Sequence, residues 1–208
     1  MSTEVSFKRL TEGTRLGFKG AGAGAWLAAQ GVGVPAASNT WCSAAGVLTA
    51  RLGSAEYFLA EHAADAGAAA DPGAGSDSGA GSDPGAGSDS GAAGTAAGFL
   101  RRIAANARAR PAGVYPVLRE DWDFVLEGRD VHSVLAQVCN VNFADVQSNI
   151  QPVIMTLMIG VAVLVVPRGA AGRPRYRIWC DPSYGPYLSD ALGTVVVESG
   201  GMYRGATE

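Results

Sequence analysis

At 208 residues the chain is long enough for one good domain or two small halves, and a hydrophobic content of 48% suits a packed globule rather than a disordered chain. A net charge of −3 and a pI near 5.4 exclude a global electrostatic pull toward nucleic acid or anionic lipid. Three cysteines, Cys42, Cys139 and Cys180, are odd in number, far apart and without a CxxC pair, which predicts reduced, mostly buried thiols in a cytoplasmic protein.

The opening "MSTEVSFKRLTEG" has no apolar core of the kind a secretory leader needs, so none is expected. "RLGFKGAGAGAWLAAQ", from Arg15 to Gln30, predicts a strand, a glycine turn and a helix. Its Gly20-Ala-Gly22-Ala-Gly24-Ala25 fits the G-x-G-x-x-G/A pattern of a dinucleotide-binding turn. "VLTARL" (Val47–Leu52), a turn at Gly53-Ser54 and "EYFLAEH" (Glu56–His62) predict a hairpin. Residues 67–97 repeat the unit Gly-Ala-Gly-Ser-Asp-(Ser/Pro) and hold nothing that buries apolar surface, which predicts a mobile, linker-like insert. Its Asp-Ser pairs lack the large apolar residues of calcium-binding repeats.

"GFLRRIAANARA" (Gly98–Ala109) places Phe99, Leu100, Ile103, Ala104 and Ala107 on one helical face. Arg101, Arg102, Arg108 and Arg110 lie opposite, as a solvated face or a docking surface for an acidic partner. "GVYPVLRED" (Gly113–Asp121) predicts a strand. Glu120, Asp121 and Asp123 alternate with Trp122 and Phe124, as at a half-buried strand start whose charges are solvated. "FVLEGRDVHSVLAQVCNVN" predicts strand, turn and helix, with Asp130 as N-cap and Val131, Val134, Leu135 and Val138 on one face.

"PVIMTLMIGVAVLVV", Pro152 to Val166, is shorter than the roughly 20 residues of a spanning helix. Its β-branched content predicts a buried strand, or two strands meeting near Gly160. A turn through "RGAAGRPR" leads to a strand "YRIWCD" (Tyr176–Asp181), a helix "SYGPYLSDAL" (Ser183–Leu192) and a strand "TVVVES" (Thr194–Ser199). The aromatics of "WCDPSYGPYL" serve an interface or cover a sheet edge.

The strand–turn–helix unit occurs twice at a constant offset of 108 residues, from Gly20 to Gly128 and from Leu27 to Leu135. A hairpin and a helix follow each copy. The expected fold is therefore α+β: two pseudo-repeated strand-helix-hairpin-helix halves packed as a pair, residues 1–66 with 98–112 and residues 113–208, together one domain. The second copy keeps only the first glycine of the turn, and no Asp or Glu stands between Glu12 and Glu56 to hold a ribose. The glycine run therefore reads as a small-residue turn rather than a phosphate cradle.

Neither His62 nor His132 has Cys, Asp or a second His at ligand spacing, and no G-x-S-x-G elbow is present. No catalytic or metal residue is assigned.

The stretches "RLGFKGAGAGAWL", "VLTARLGSAEYFL", "GVYPVLREDWDFVLEGRDVHSVLAQVC" and "RYRIWCDPSYGPYL" together resemble the gamma subunit of heterotetrameric sarcosine oxidase, a relative of the folate-binding domain of the glycine-cleavage T-protein. The resemblance implies two interlocked halves and a place beside alpha, beta and delta subunits. It implies a complex that oxidatively demethylates sarcosine, or another N-methyl or secondary amine, with FAD, FMN and NAD, and passes the one-carbon unit to tetrahydrofolate. Those cofactors are then held chiefly by the other subunits, and none is expected on this chain. T-proteins carry a further C-terminal domain that this length does not hold, and Ala21 after Lys19-Gly20 departs from the Lys-Gly-Cys of the iron–sulfur-assembly branch. The alternative is a stand-alone folate-binding or aminomethyl-transferring protein with a pterin between its halves. A weaker one is a small-molecule binder with phosphate at the glycine turn.

Overall fold

A computed structural model describes residues 4–62, 95–170 and 172–205. The insert expected over 67–97 falls, up to residue 94, outside them. Among the described residues there are eleven strands and four helices.

The first central strand, β2 (Arg15–Lys19), runs into the glycine turn and α1 (Ala23–Ala29). β1 (Ser6–Leu10) precedes it. β3 (Thr40–Ala44), β4 (Val47–Arg51) and β5 (Glu56–Glu61) follow as an antiparallel meander, with the expected hairpin between the last two. α2 (Ala96–Ala107) begins with Thr95 as N-cap, its hydroxyl accepting the Gly98 N–H at 3.1 Å. The strand expected over 113–121 is only β6 (Tyr115–Val117).

The second central strand, β7 (Trp122–Glu127), runs into α3 (Val131–Val138). Asp130 stands at the N-cap but does not cap; its carboxylate accepts the Glu4 N–H at 2.9 Å instead. The apolar run folds as two strands, β8 (Ile154–Met158) and β9 (Val161–Ala170), turning at Ile159-Gly160. β9 and β10 (Arg173–Cys180) continue through most of the segment expected as a turn.

α4 (Gly185–Glu198) absorbs the strand expected at 194–199. The β-branched run Val195–Val197 favours a strand only weakly. Leu188, Leu192 and Val196, at helical spacing, all bury against the six-stranded sheet, and that packing decides the outcome. β11 (Met202–Arg204) completes the chain of elements.

The strands form two sheets, β11-β1-β7-β10-β9-β8 and β3-β4-β5-β2-β6. Each helix pair covers the outer face of one sheet. Leu27, Leu100 and Ile103 meet Phe18, Val47 and Leu59 over the five-stranded sheet; Leu135, Leu188 and Val196 meet Phe7, Phe124 and Ile178 over the other. The inner faces meet each other through Trp41, Leu48, Phe58, Val166 and Trp179. Alternation along β5 and β10 makes this possible: Tyr57 and Leu59 face the helices while Phe58 faces the other sheet, and Ile178 and Trp179 divide likewise. The strand ahead of each central strand crosses over. β1 pairs with β7, and β6 pairs with β2. Backbone bonds also join the sheets at one side, Trp41 N–H to Gln151 O at 2.8 Å and Val153 N–H to Asn39 O at 2.7 Å.

The two turn glycines share their reason. Gly20 and Gly128 sit at φ +116° and +136°, and a Cβ there would lie 2.2 Å from Gly113 O and 2.0 Å from Glu4 O. Each lets a central strand enter its helix against the crossing segment. Gly128→Ala should destabilise the fold by about 3 kcal/mol or more, read by urea unfolding, because left-handed strain and backbone overlap add. The opposite sign is expected at Ala45, an exposed non-glycine at φ +50° in the β3–β4 turn. Ala45→Asn should raise stability by about 0.5–1 kcal/mol, since Asn tolerates that conformation.

Candidate functional site

The glycine turn has no free cradle. Gly20 N–H donates to Ala55 O at 2.9 Å and Gly22 N–H to Gly113 O at 3.0 Å. A Cβ on Gly22 would lie 2.6 Å from Ala112 O, and one on Gly24 would lie 2.5 Å from the Tyr57 hydroxyl. The small residues are explained by close packing on the 112–113 segment and Tyr57. A dinucleotide phosphate does not fit there, because the N–H groups it would need are already bonded to the chain.

The expectation that Asp123 is solvated is overturned. It is wholly buried between the sheets. Arg177 on β10 grips its carboxylate with Nη2 at 2.6 Å and Nε at 3.0 and 3.2 Å from the two oxygens. Arg15 on β2 approaches the same oxygen at 3.5 Å. Arg177 also donates through Nη1 to the Glu61 carbonyl on β5 and stacks over Trp179, 4.9 Å from its ring centre. Strand alternation places this group: Asp123 lies opposite Trp122 and Phe124, and Arg177 opposite Tyr176 and Ile178. Beside it Arg119 joins Glu56 at 3.2 Å and Asp121 at 3.6 Å, over the Phe58 ring. Burial raises the Asp121 carboxyl above its ordinary pKa, against the opposing pull of Arg119.

Sequence reasoning missed Arg15, Arg119 and Arg177. The available signal was a cation inside an apolar alternation, as in "YRIWC".

The other candidates are not brought together. The Arg168 guanidinium reaches His62 Nδ1 at 2.7 Å across the sheets. His132 lies on the outer side, its Nε2 2.7 Å from the Tyr176 hydroxyl. Burial pushes that phenol up to about 12. Cys139 and Cys180 are buried and Cys42 is half-buried. Burial, then Asp121 and Asp181, push the Cys180 thiol up to about 11. Among the described residues no three His, Cys, Asp or Glu side chains gather as a metal site. No helix among the described residues is long and apolar enough to cross a membrane. The aromatic segment divides: Trp179 is core, edge-on to Phe58, while Tyr184 and Tyr187 are exposed. Arg101 and Arg102 on α2, and Arg108 and Arg110 just beyond its end, are all exposed. β8 exposes Met155 and Leu157, and the segment before it exposes Ile150.

Two sheets packed face to face, each roofed by helices and each completed by a strand from beside the other, define a fold already seen in solved proteins. The chain matches no protein-family model and no curated protein. It shares its fold with a heterotetrameric sarcosine oxidase from Corynebacterium sp. U-96, solved with pyrrole 2-carboxylate, at TM-score 0.62 and 20% identity over 95% of this chain and 86% of that one. It also shares it with the glycine cleavage system aminomethyltransferase T of Bartonella henselae, at TM-score 0.55 and 11% identity over 97% of this chain and 48% of that one. The chain thus spans about half the length of the aminomethyltransferase. These are the two kinds of protein that the sequence resembles. At such identities the likeness is one of fold.

The buried ion cluster yields a double-mutant test. Asp123→Asn alone should destabilise by about 3–5 kcal/mol, because Arg177 is left buried without its counter-charge. Asp123→Leu with Arg177→Met should lose much less than the sum of the single changes, as measured by chemical denaturation.

Proposed function

We propose that this chain is a gamma-type, non-catalytic subunit of a cytoplasmic sarcosine oxidase-like complex. That complex oxidatively demethylates sarcosine or a related secondary amine and passes the one-carbon unit to tetrahydrofolate. FAD, FMN and NAD belong to its alpha, beta and delta partners. The observation that carries this reading is coverage: the fold match takes in 86% of the sarcosine oxidase chain but 48% of the aminomethyltransferase. The exposed apolar side chains of β8 support it, since Met155 and Leu157 are 54% and 60% exposed and suit burial against a partner. The tight Arg–carboxylate pairing between the sheets supports a scaffold role for those groups rather than proton transfer.

On the same reading the chain is two interlocked pseudo-repeats, residues 1–66 with 98–112 and residues 113–208. The reciprocal crossing of β1 and β6 supports this. So does the contact of Arg15 with Asp123, which stand the same number of positions ahead of Gly20 and Gly128.

The T-protein likeness favours a second reading, a folate binder acting alone. Between the sheets its pterin would meet Trp41, Phe58 and Trp179, already in contact across that space, so it would have to bind elsewhere.

Expressed alone, the subunit should be colourless and without amine oxidase turnover, and co-expressed with flavoprotein partners it should purify with them. Leu157→Asp should leave the isolated fold intact by circular dichroism and reduce co-purification at least tenfold. Quenching of tryptophan fluorescence by a reduced folate added to the isolated chain would instead establish the second reading.

A further inference from the structure

At the free edge of the six-stranded sheet, β11 runs parallel to β1 with Lys8 registered against Arg204. Neighbouring positions on paired strands point to one face. Phe7 enters the helical core, so Lys8 projects from the opposite face. A cleft of about 510 Å³ opens there, lined by Lys8, Arg204, Arg173, Glu4 and Glu127 together with backbone around Gly200. That volume is in the range of small-molecule sites.

The charges in this cleft do not balance locally. Glu4 is met by Arg129 and by Arg173, each at 3.6 Å. Glu127 is met by Arg175 at 3.4 Å and by the Ser6 hydroxyl at 3.4 Å. Among the described residues neither Lys8 nor Arg204 has a carboxylate within ion-pair distance; Arg204 spends its Nε–H on the Met202 sulfur at 3.3 Å. Lys8 is moreover half-buried, and its register partner on β7 is the buried, apolar Val125. Elsewhere the partly buried cations are matched: Arg15 and Arg177 by Asp123, Arg119 by Glu56, and Arg9 by the Trp122 ring 3.2 Å beneath it. Two like charges side by side on adjacent strands repel, and partial burial of one deepens the cost.

We propose that this edge cleft is a binding site for an anionic group, a carboxylate or a phosphate, held between Lys8 and Arg204. Arg204 supplies a planar fork for two oxygens and Lys8 a point charge from the adjacent strand. The site lies on the part of the chain beside β1 and β11, apart from β8 and its exposed apolar residues, and does not depend on the subunit reading.

The test is titration of the full chain in low-salt chloride buffer with inorganic phosphate and, separately, with succinate, followed by calorimetry and by thermal unfolding. One anion should bind per chain with Kd below about 1 mM, and the unfolding temperature should rise with its concentration. Lys8→Gln and Arg204→Gln should each weaken binding at least tenfold, while Arg101→Gln, on α2, should leave it unchanged. Preference for phosphate assigns a phosphoryl ligand, and preference for succinate a carboxylate one. Absence of saturable binding by both probes, or binding unaltered in Arg204→Gln, overturns the proposal. Arg204 is exposed, so its variant decides the matter even if Lys8→Gln fails to fold.

Discussion

Asp123 has none of its surface in water, and three separate strands converge on it or on the arginine that holds it. A carboxylate so placed must be matched in charge and in hydrogen bonds, or its desolvation would cost several kcal/mol. Arg177 supplies the match, and in doing so reaches from the six-stranded sheet to the β5 carbonyl of the other. The ion pair therefore fixes more than a local contact. It sets which inner faces meet and at what lateral offset, while Trp41, Phe58 and Trp179 fill the space beside it. Apolar packing alone would tolerate sliding; a bidentate pair with a third partner does not.

With the inner faces committed to each other and the outer faces roofed by helices, the surfaces open to other molecules are the sheet rims and the helix exteriors. At one rim β8 presents apolar side chains; at the opposite rim β11 and β1 present cations. α2 and the residues just after it turn four arginines to solvent. On the proposed subunit reading, contacts with other molecules are made at the periphery, and the middle is structural. The glycine turn illustrates the distinction. Its sequence imitates a phosphate cradle, yet every glycine in it is accounted for by close approach of another part of the chain.

The local elements were legible where a single periodicity carried them. The glycine turns, the helical faces of α2 and α3 and the hairpin at Gly53-Ser54 all belong to this class. β3 and β1 escaped because they are short and largely polar, with Trp41 in one and Phe7 and Leu10 in the other too few to mark an alternation. The β3–β4 turn also lacked the usual vocabulary: Ala45-Gly46 takes the positive-φ pair that Asn-Gly ordinarily announces. The end of α4 was misjudged because Val195–Val197 has strand propensity, and only the distant sheet surface reveals that it serves a helical stripe. The status of Asp123 was invisible for a related reason. Its partners stand 54 and 108 positions away, and nothing local separates a solvated acid from a buried one. The cations Lys8 and Arg204, without an ion-pair partner among the described residues, likewise become a feature only when β11 is laid beside β1.

The reciprocal placement of β1 and β6 also governs the order of assembly. Residues 6–10 leave the ribosome well before their sheet partners, residues 123–127 and 202–204. This strand must wait, unpaired, until residues 123–127 arrive, and its second edge stays open until residues 202–204 follow. The five-stranded sheet faces a shorter version of the same delay, since it closes only when residues 115–117 arrive. Such long-range closure makes for slow maturation and an extended period with open sheet edges. It also means that neither sheet can be excised as an autonomous module by cutting the chain once.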